Sequence, residues 1–190
     1  PTMSTEPSSR ISTDPDFRYS WYARLFFANQ RRRYGKELEP ARLWARTPKV
    51  FAALSLLYGA LDCRRSPIEP ALRSLITVRV SQINWCAFCV DINSATGLKR
   101  GISDAQLAAL PEFATSPLFD ERQKAALAYA EAITRTDVGV DDALMARVKA
   151  CFDDNAVIEL TALIAFQNMS SKFNAALDVA PQGFCRLPQK

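Results

Sequence analysis

From Pro48 onward, apolar residues return every three or four positions, and nowhere do they alternate for long. Phe51, Leu54, Leu57, Tyr58 and Leu61 keep this step, as do Leu72, Leu75 and Ile76 with Arg79 in phase. So do Val157, Leu160, Ile164, Met169, Phe173 and Leu177. That spacing lines one face of an α-helix, whereas a half-buried strand needs a period of two. Val78 and Val80 alone do not sustain a strand. The predicted fold class is therefore all-α, without an obvious internal repeat.

The punctuation agrees. Proline suits a helix start at Pro40 and Pro48, and Gly35 suits a stop after an aromatic helix that begins at Pro15 and runs through Phe17, Trp21 and Leu25 to Arg33. Leu98-Lys99-Arg100-Gly101 reads as a basic last turn followed by a left-handed cap. Ser103 to Gln106 and Asp120 to Gln123 have the form of capping boxes. Further helices are expected over 68–83, from Asp120 through Ile133, from Asp141 or Asp142 to Phe152, and from about Asn155 to Leu177.

Within 190 residues, 48% of them apolar and 23% charged, one packed domain with an arm is the natural organisation. The expected division is a flexible Ser/Thr/Pro-rich tail over 1–14, a helical arm over 15–47, and the main domain over 48–190. The arm's aromatic surface (Phe17, Trp21, Tyr22, Leu25 and Phe26) is expected to pack on this chain or a sister subunit rather than on a membrane. A net charge of +4, with one dense basic cluster at Arg31-Arg32-Arg33 ending that helix, does not make a nucleic-acid face. The longest apolar stretch, Val50 to Leu61, is about 12 residues, short of the ~20 that span a bilayer. The start of the sequence lacks the apolar core of a signal peptide. The expectation is a cytoplasmic protein without nucleic-acid or membrane partners.

Chemistry points to sulfur, because the chain has no histidine. The most common general base is thus missing, with imidazole metal ligands and every imidazole-based triad. Of five cysteines, only Cys86 and Cys89, in Trp85-Cys86-Ala87-Phe88-Cys89, stand at a spacing that chemistry regularly uses. In the first turn of a helix, residues three apart share a face, and a disulfide can close between them. Free amides at a helix start favour the thiolate, which is only about 3% populated at pH 7 for an ordinary thiol. Asp91 opposes this with its own negative charge. Small buried filler is the other use of such a pair. A structural zinc would want four ligands, which are not in prospect, and no metal or cofactor is implied. Cys63, Cys151 and Cys185 are isolated in sequence, and the tail carrying Cys185 is exposed unless it docks.

The run from Val78 to Ile92, with Glu121 to Ala132 and Ile158 to Asn168 in the same order, resembles the carboxymuconolactone decarboxylase-like, or AhpD-like alkyl hydroperoxidase, superfamily over roughly residues 48–180. The resemblance implies an AhpD-like helical fold, here extended by an N-terminal arm, assembled as trimers or hexamers. It implies a thiol-dependent peroxidase in which Cys89 attacks a peroxide and Cys86 resolves the product as a disulfide. It also implies a relay glutamate twelve residues before the first cysteine and a histidine four after the second. Ser74 and Asn93 stand there instead. Asn93, one turn beyond Cys89, can donate a hydrogen bond to a thiolate but takes no proton. Losing a positioned base costs 10²–10⁴ in rate, on the order of the whole contribution such a base makes. Arg79 and Glu69 are the remaining candidate helpers.

Two function classes follow. One is a thiol–disulfide redox enzyme, a weak alkylhydroperoxidase or disulfide reductase, with a small peroxide or disulfide as substrate and a thiol reductant protein as a possible partner. The alternative is a non-catalytic binding or assembly protein on the same scaffold with inert cysteines. Lactone decarboxylation has no acid–base constellation to speak for it.

Overall fold

The structure, a computed structural model, describes residues 9–11 and 16–185. Most of the stretch read as a tail lies outside these. Of it, Ser9 is buried, and the Arg10 amide donates to the carbonyl of Leu177 at 2.7 Å.

Among the described residues there are only helices: α1 Trp21–Tyr34, α2 Glu39–Trp44, α3 Pro48–Leu61, α4 Pro70–Ile83, α5 Ala87–Lys99, α6 Asp104–Ala109, a 3-10 turn Leu110–Glu112, α7 Glu121–Thr134, α8 Asp142–Cys151 and α9 Asp154–Ala176. None of them is long and apolar enough to cross a membrane. The caps fall where residue chemistry demands. Gly35 ends α1 in the left-handed region at φ 75°, and both capping boxes close reciprocally, at Ser103/Gln106 and Asp120/Gln123. Such caps are worth about 1 kcal/mol each. The aromatic helix starts at Trp21, six residues later than expected, and Phe17 precedes it. Trp21 and Leu25 point to solvent, while Phe27 and Ala23 are buried and Phe26 packs edge-on to Phe51 of α3.

The centre of the molecule is α4, packed on α5, α7 and α9. Leu72, Ile76 and Val80 face one core, shared with Tyr129, Val148, Leu160 and Ile164. Leu75 and Val78 face another, shared with Leu107, Leu110, Phe113 and Leu127. At ~1.5–3 kcal/mol for each large apolar side chain removed from water, these two clusters dominate the favourable side of folding. A helix buried on two faces loses a clean amphipathic stripe, and so Arg79, in phase with the apolar set, is buried too. It is satisfied by Glu131, whose Oε1 accepts from Nε at 2.6 Å. On α5, Gly97 permits the close approach of α4: a Cβ there would meet Ile102 Cδ1 at 2.9 Å and Ser74 Cβ at 3.4 Å. Met169, expected in the apolar stripe of α9, is 42% exposed instead.

Candidate active site

The chain reverses between α4 and α5 through Trp85, which adopts φ 56° and leaves its indole 89% exposed. The turn closes with the Cys86 amide on the Ser81 carbonyl at 3.0 Å. Cys86 is then the N-cap of α5, and its sulfur accepts from the Cys89 amide at 3.2 Å. The two cysteines, Cα atoms 5.3 Å apart, are joined as a disulfide. The sequence pair therefore occupies the expected helix start. Both sulfur residues are buried, and Leu43, Phe88 and Val179 surround them.

Burial does not seal Cys89. It lines a cavity of about 400 Å³ whose walls come from the arm as well as the core, with Phe26, Trp44, Phe51, Phe88, Ile92 and Phe166 as its main apolar surface. Cys86 is not among the lining residues. Two groups in the polar part of the wall bear on its chemistry. Near the sulfur, Asn174 of α9 donates from Nδ2 to Cys89 Sγ at 3.2 Å, and its Oδ1 is buried with no partner. Farther along, Asp62 accepts two bonds from Arg100 Nη2 at 2.7 and 2.8 Å and faces Arg73 Nε at 3.2 Å. Tyr58 reaches the same carboxylate at 3.5 Å. Burial, and then the Asp62 charge, push its phenol up to about 12, although 45% of the residue surface remains open.

The two positions that replace the family's relay lie on this cavity, but neither touches the sulfurs. Because α4 and α5 run antiparallel, Ser74 comes to rest opposite Gly97, about two turns along α5 from Cys89. There its hydroxyl accepts from Arg100 Nη1 at 3.3 Å. Asn93, expected to serve a thiolate, instead donates to Ser81 Oγ at 3.4 Å, where Gln167 also donates at 2.9 Å. Arg79 is held by Glu131, and Glu69 pairs with Arg122 near the far end of α4. The residue that does touch Cys89, Asn174, lies 85 positions away in sequence and carried no local signal. An acidic or amide residue on the inward stripe of α9 was the one hint available.

On the other side of the cysteines the C-terminal segment docks as a strap. Asp91, 1% exposed, accepts backbone N–H bonds from Gln182 and Gly183 at 2.9 and 2.7 Å and from Cys185 at 2.6 Å. Three charge-assisted donors compensate the carboxylate whose charge was expected to oppose a thiolate. Gln182 ties the strap to the arm by accepting from the Glu39 amide at 3.1 Å, and Phe184 meets Phe88 with ring centroids 6.5 Å apart. Among the described residues no group of three acidic, cysteine or histidine side chains is placed to hold a metal ion.

The family model for the carboxymuconolactone decarboxylase family matches residues 48–132, which run from α3 through the cysteines into α7. The uncharacterized protein YnjA of Escherichia coli K12 is 46% identical over 160 residues, 84% of this chain and 88% of its own. The chain belongs to the carboxymuconolactone decarboxylase/AhpD-like family. Its fold is also that of a peroxidase-related protein of the alkylhydroperoxidase AhpD core from Ralstonia eutropha JMP134, with TM-score 0.84 at 19% identity, covering 97% of this chain and 100% of that one. The debrominase Bmp8 matches with TM-score 0.76 at 22% identity over 86% and 88% of the two chains. At these identities the two structures establish the AhpD-like all-helical fold alone.

Proposed function

We propose that this AhpD-like chain is a thiol–disulfide oxidoreductase in which Cys89 attacks a small electrophile that enters the cavity and Cys86 resolves the product. The observation that carries the reading is the asymmetry of the pair: one sulfur borders a cavity of about 400 Å³, and the other is bonded to it from behind. With a hydroperoxide, the Cys89 thiolate bonds to the terminal oxygen, the O–O bond breaks, and the alkoxide leaves and takes a proton as an alcohol. The resulting sulfenic acid is displaced by the Cys86 sulfur, releasing water and forming the disulfide. Two electrons from an external dithiol restore the pair. With neither a glutamate at Ser74 nor a histidine at Asn93, proton transfer falls to solvent, and turnover is expected to be slow.

The test counts thiols in the reduced protein before and after an organic hydroperoxide such as cumene hydroperoxide. Two should disappear together, and Cys89→Ser should abolish the loss. Retention of both thiols in the intact protein would leave a helical scaffold with inert cysteines, the reading that competes with this one. A second reading has the aromatic cavity wall in its favour, since Phe26, Trp44 and Phe51 give it an apolar aromatic lining that suits a flat ring. Reductive dehalogenation of a haloaromatic would use the same pair, and Bmp8 is a debrominase of the same fold. Bromide release from a bromopyrrole, without peroxide turnover, would favour it.

The working compartment in this reading is the reducing cytoplasm, where a dithiol reductant is at hand. The working form is a homo-oligomer, a trimer or hexamer. Leu56 on α3, Ile158 on α9 and Trp85 are 76%, 67% and 89% exposed, apolar side chains that a sister subunit would cover in this reading. Sedimentation at the 21.2 kDa of a single chain would count against assembly.

A further inference from the structure

Only one polar side chain among the described residues is placed on either sulfur, and it is half satisfied. Asn174 is 2% exposed, its Nδ2 bonds Cys89 Sγ at 3.2 Å, and its Oδ1 has no partner. A buried amide oxygen without a donor is destabilising, so its persistence calls for a physical reason. The oxidation state supplies one. A disulfide sulfur carries no hydrogen, so only the nitrogen end of the amide can face it, and the oxygen end is left over. After reduction the sulfur exists either as a thiolate, which accepts, or as a thiol, which donates. The carboxamide can meet both, because a half-turn about its last bond exchanges nitrogen and oxygen with little change of shape.

We propose that Asn174 is the positioning residue that sets the ionisation of Cys89, standing in for the absent histidine without moving a proton. Its Nδ2 holds the thiolate, and its Oδ1 accepts from the thiol when the sulfur is protonated. A bond to an ionised acceptor is stronger than a bond between neutral groups, so the net effect favours the thiolate and brings the attacking form nearer to neutral pH. The proposal rests on the reading of Cys89 as the attacking sulfur. Other charged or titratable groups face this sulfur only at a remove. Asp91 on α5 is engaged by the strap amides, and Glu39 on α2 is buried beside that strap. Lys36 sits over Phe184. Asp62, Arg73, Arg100 and Tyr58 occupy the far end of the cavity, with Arg33 and Tyr34 on the α1 wall. Arg79 and Lys172 flank on α4 and α9, the first held by Glu131 and the second exposed.

The test follows the alkylation of reduced Cys89 by iodoacetamide across pH, read by the mass of the peptide that carries Cys89 because Cys63, Cys151 and Cys185 also react, in a Cys86→Ser background so that no neighbouring thiol couples to it. Asn174→Leu keeps the volume and removes the hydrogen bond, and the reaction midpoint should rise by about one pH unit, a tenfold smaller thiolate fraction below it. Asn174→Asp should raise it further, because a carboxylate repels the thiolate. Asn174→Ser, too short to reach the sulfur and free of steric overlap although it leaves a small cavity, should raise it as the leucine does and decides the matter if the leucine variant does not fold. Midpoints equal to that of the parent in folded variants overturn the proposal, since a merely structural asparagine would change the denaturant midpoint alone. The two readings fail separately. If the protein with both cysteines forms no disulfide with peroxide, the oxidoreductase reading is lost whatever the midpoints do. If it cycles and the midpoints stay fixed, only the role of Asn174 is lost.

Discussion

Cys86 and Cys89 are bonded to each other, yet they face different halves of the molecule. Cys89 looks into the cavity, touches an amide from α9, and shares its wall with aromatic rings of the arm. Cys86 does not line it, is 1% exposed, and is packed in the cluster of Leu43, Phe88 and Val179 on which Phe184 of the strap rests. In the proposed reading it is the surroundings, rather than the spacing, that separate an attacking sulfur from a resolving one: a small electrophile would meet Cys89, and Cys86 would be reached by internal displacement.

The strongest way to break that contrast is to interrupt the pair. In reduced Cys86→Ser protein, hydroperoxide should leave a sulfenic acid on Cys89 that reacts with dimedone, while Cys89→Ser should give no adduct. Equal labelling of the two variants, read by peptide mass, would erase the asymmetry. A smaller effect is expected from Asp91→Ala. It leaves three strap amides without their carboxylate, costing about 2 kcal/mol in denaturant unfolding. Because the strap covers Cys86, alkylation of that thiol in the reduced protein should quicken, and a rate equal to the parent's would show that the strap does not shield it. The smallest change belongs to the far end of the cavity. The unfolded Tyr58 phenol titrates near 10 and the folded one at about 12, so the folded chain keeps a proton that the unfolded chain gives up in between. The resulting stability is whole below pH 10 and drains away as the pH climbs to 12. Tyr58→Phe should flatten the fall in stability over that window. Its size is limited by solvent screening of a half-open side chain, and an unchanged slope would remove Tyr58 as its source.

The helices were legible because local chemistry writes them. Gly35, Ser103 and Asp120 made their caps without help from distant residues, the capping box at Asp120 located α7, and the three- and four-residue steps located α3, α4 and α9. The cysteine turn was equally local, since Cys86 as N-cap needs only its own neighbours. What sequence could not give was any partner brought in by topology. Asn93 was the obvious donor by helical spacing, yet Ser81, across the antiparallel packing of α4 and α5, takes its bond. The start of α1 was misplaced because a proline and a run of aromatic residues look helical wherever they are. Phe17 instead packs against Tyr19 ahead of the helix. Asp91 was weighed as an opposing charge because the amides that neutralise it belong to residues 182–185.

The cavity is built from three contributions. Cys89 and its helix fall inside the stretch that the family model matches, Phe166, Gln167 and Asn174 come from α9 beyond it, and Phe26, Arg33, Tyr34, Leu38, Pro40 and Trp44 come from the arm ahead of it. In the proposed reading, reactivity then belongs to the matched stretch, while selectivity is shared with the arm. Grafting another arm onto this core would be expected to retune which guest is admitted while leaving the cysteine pair in place.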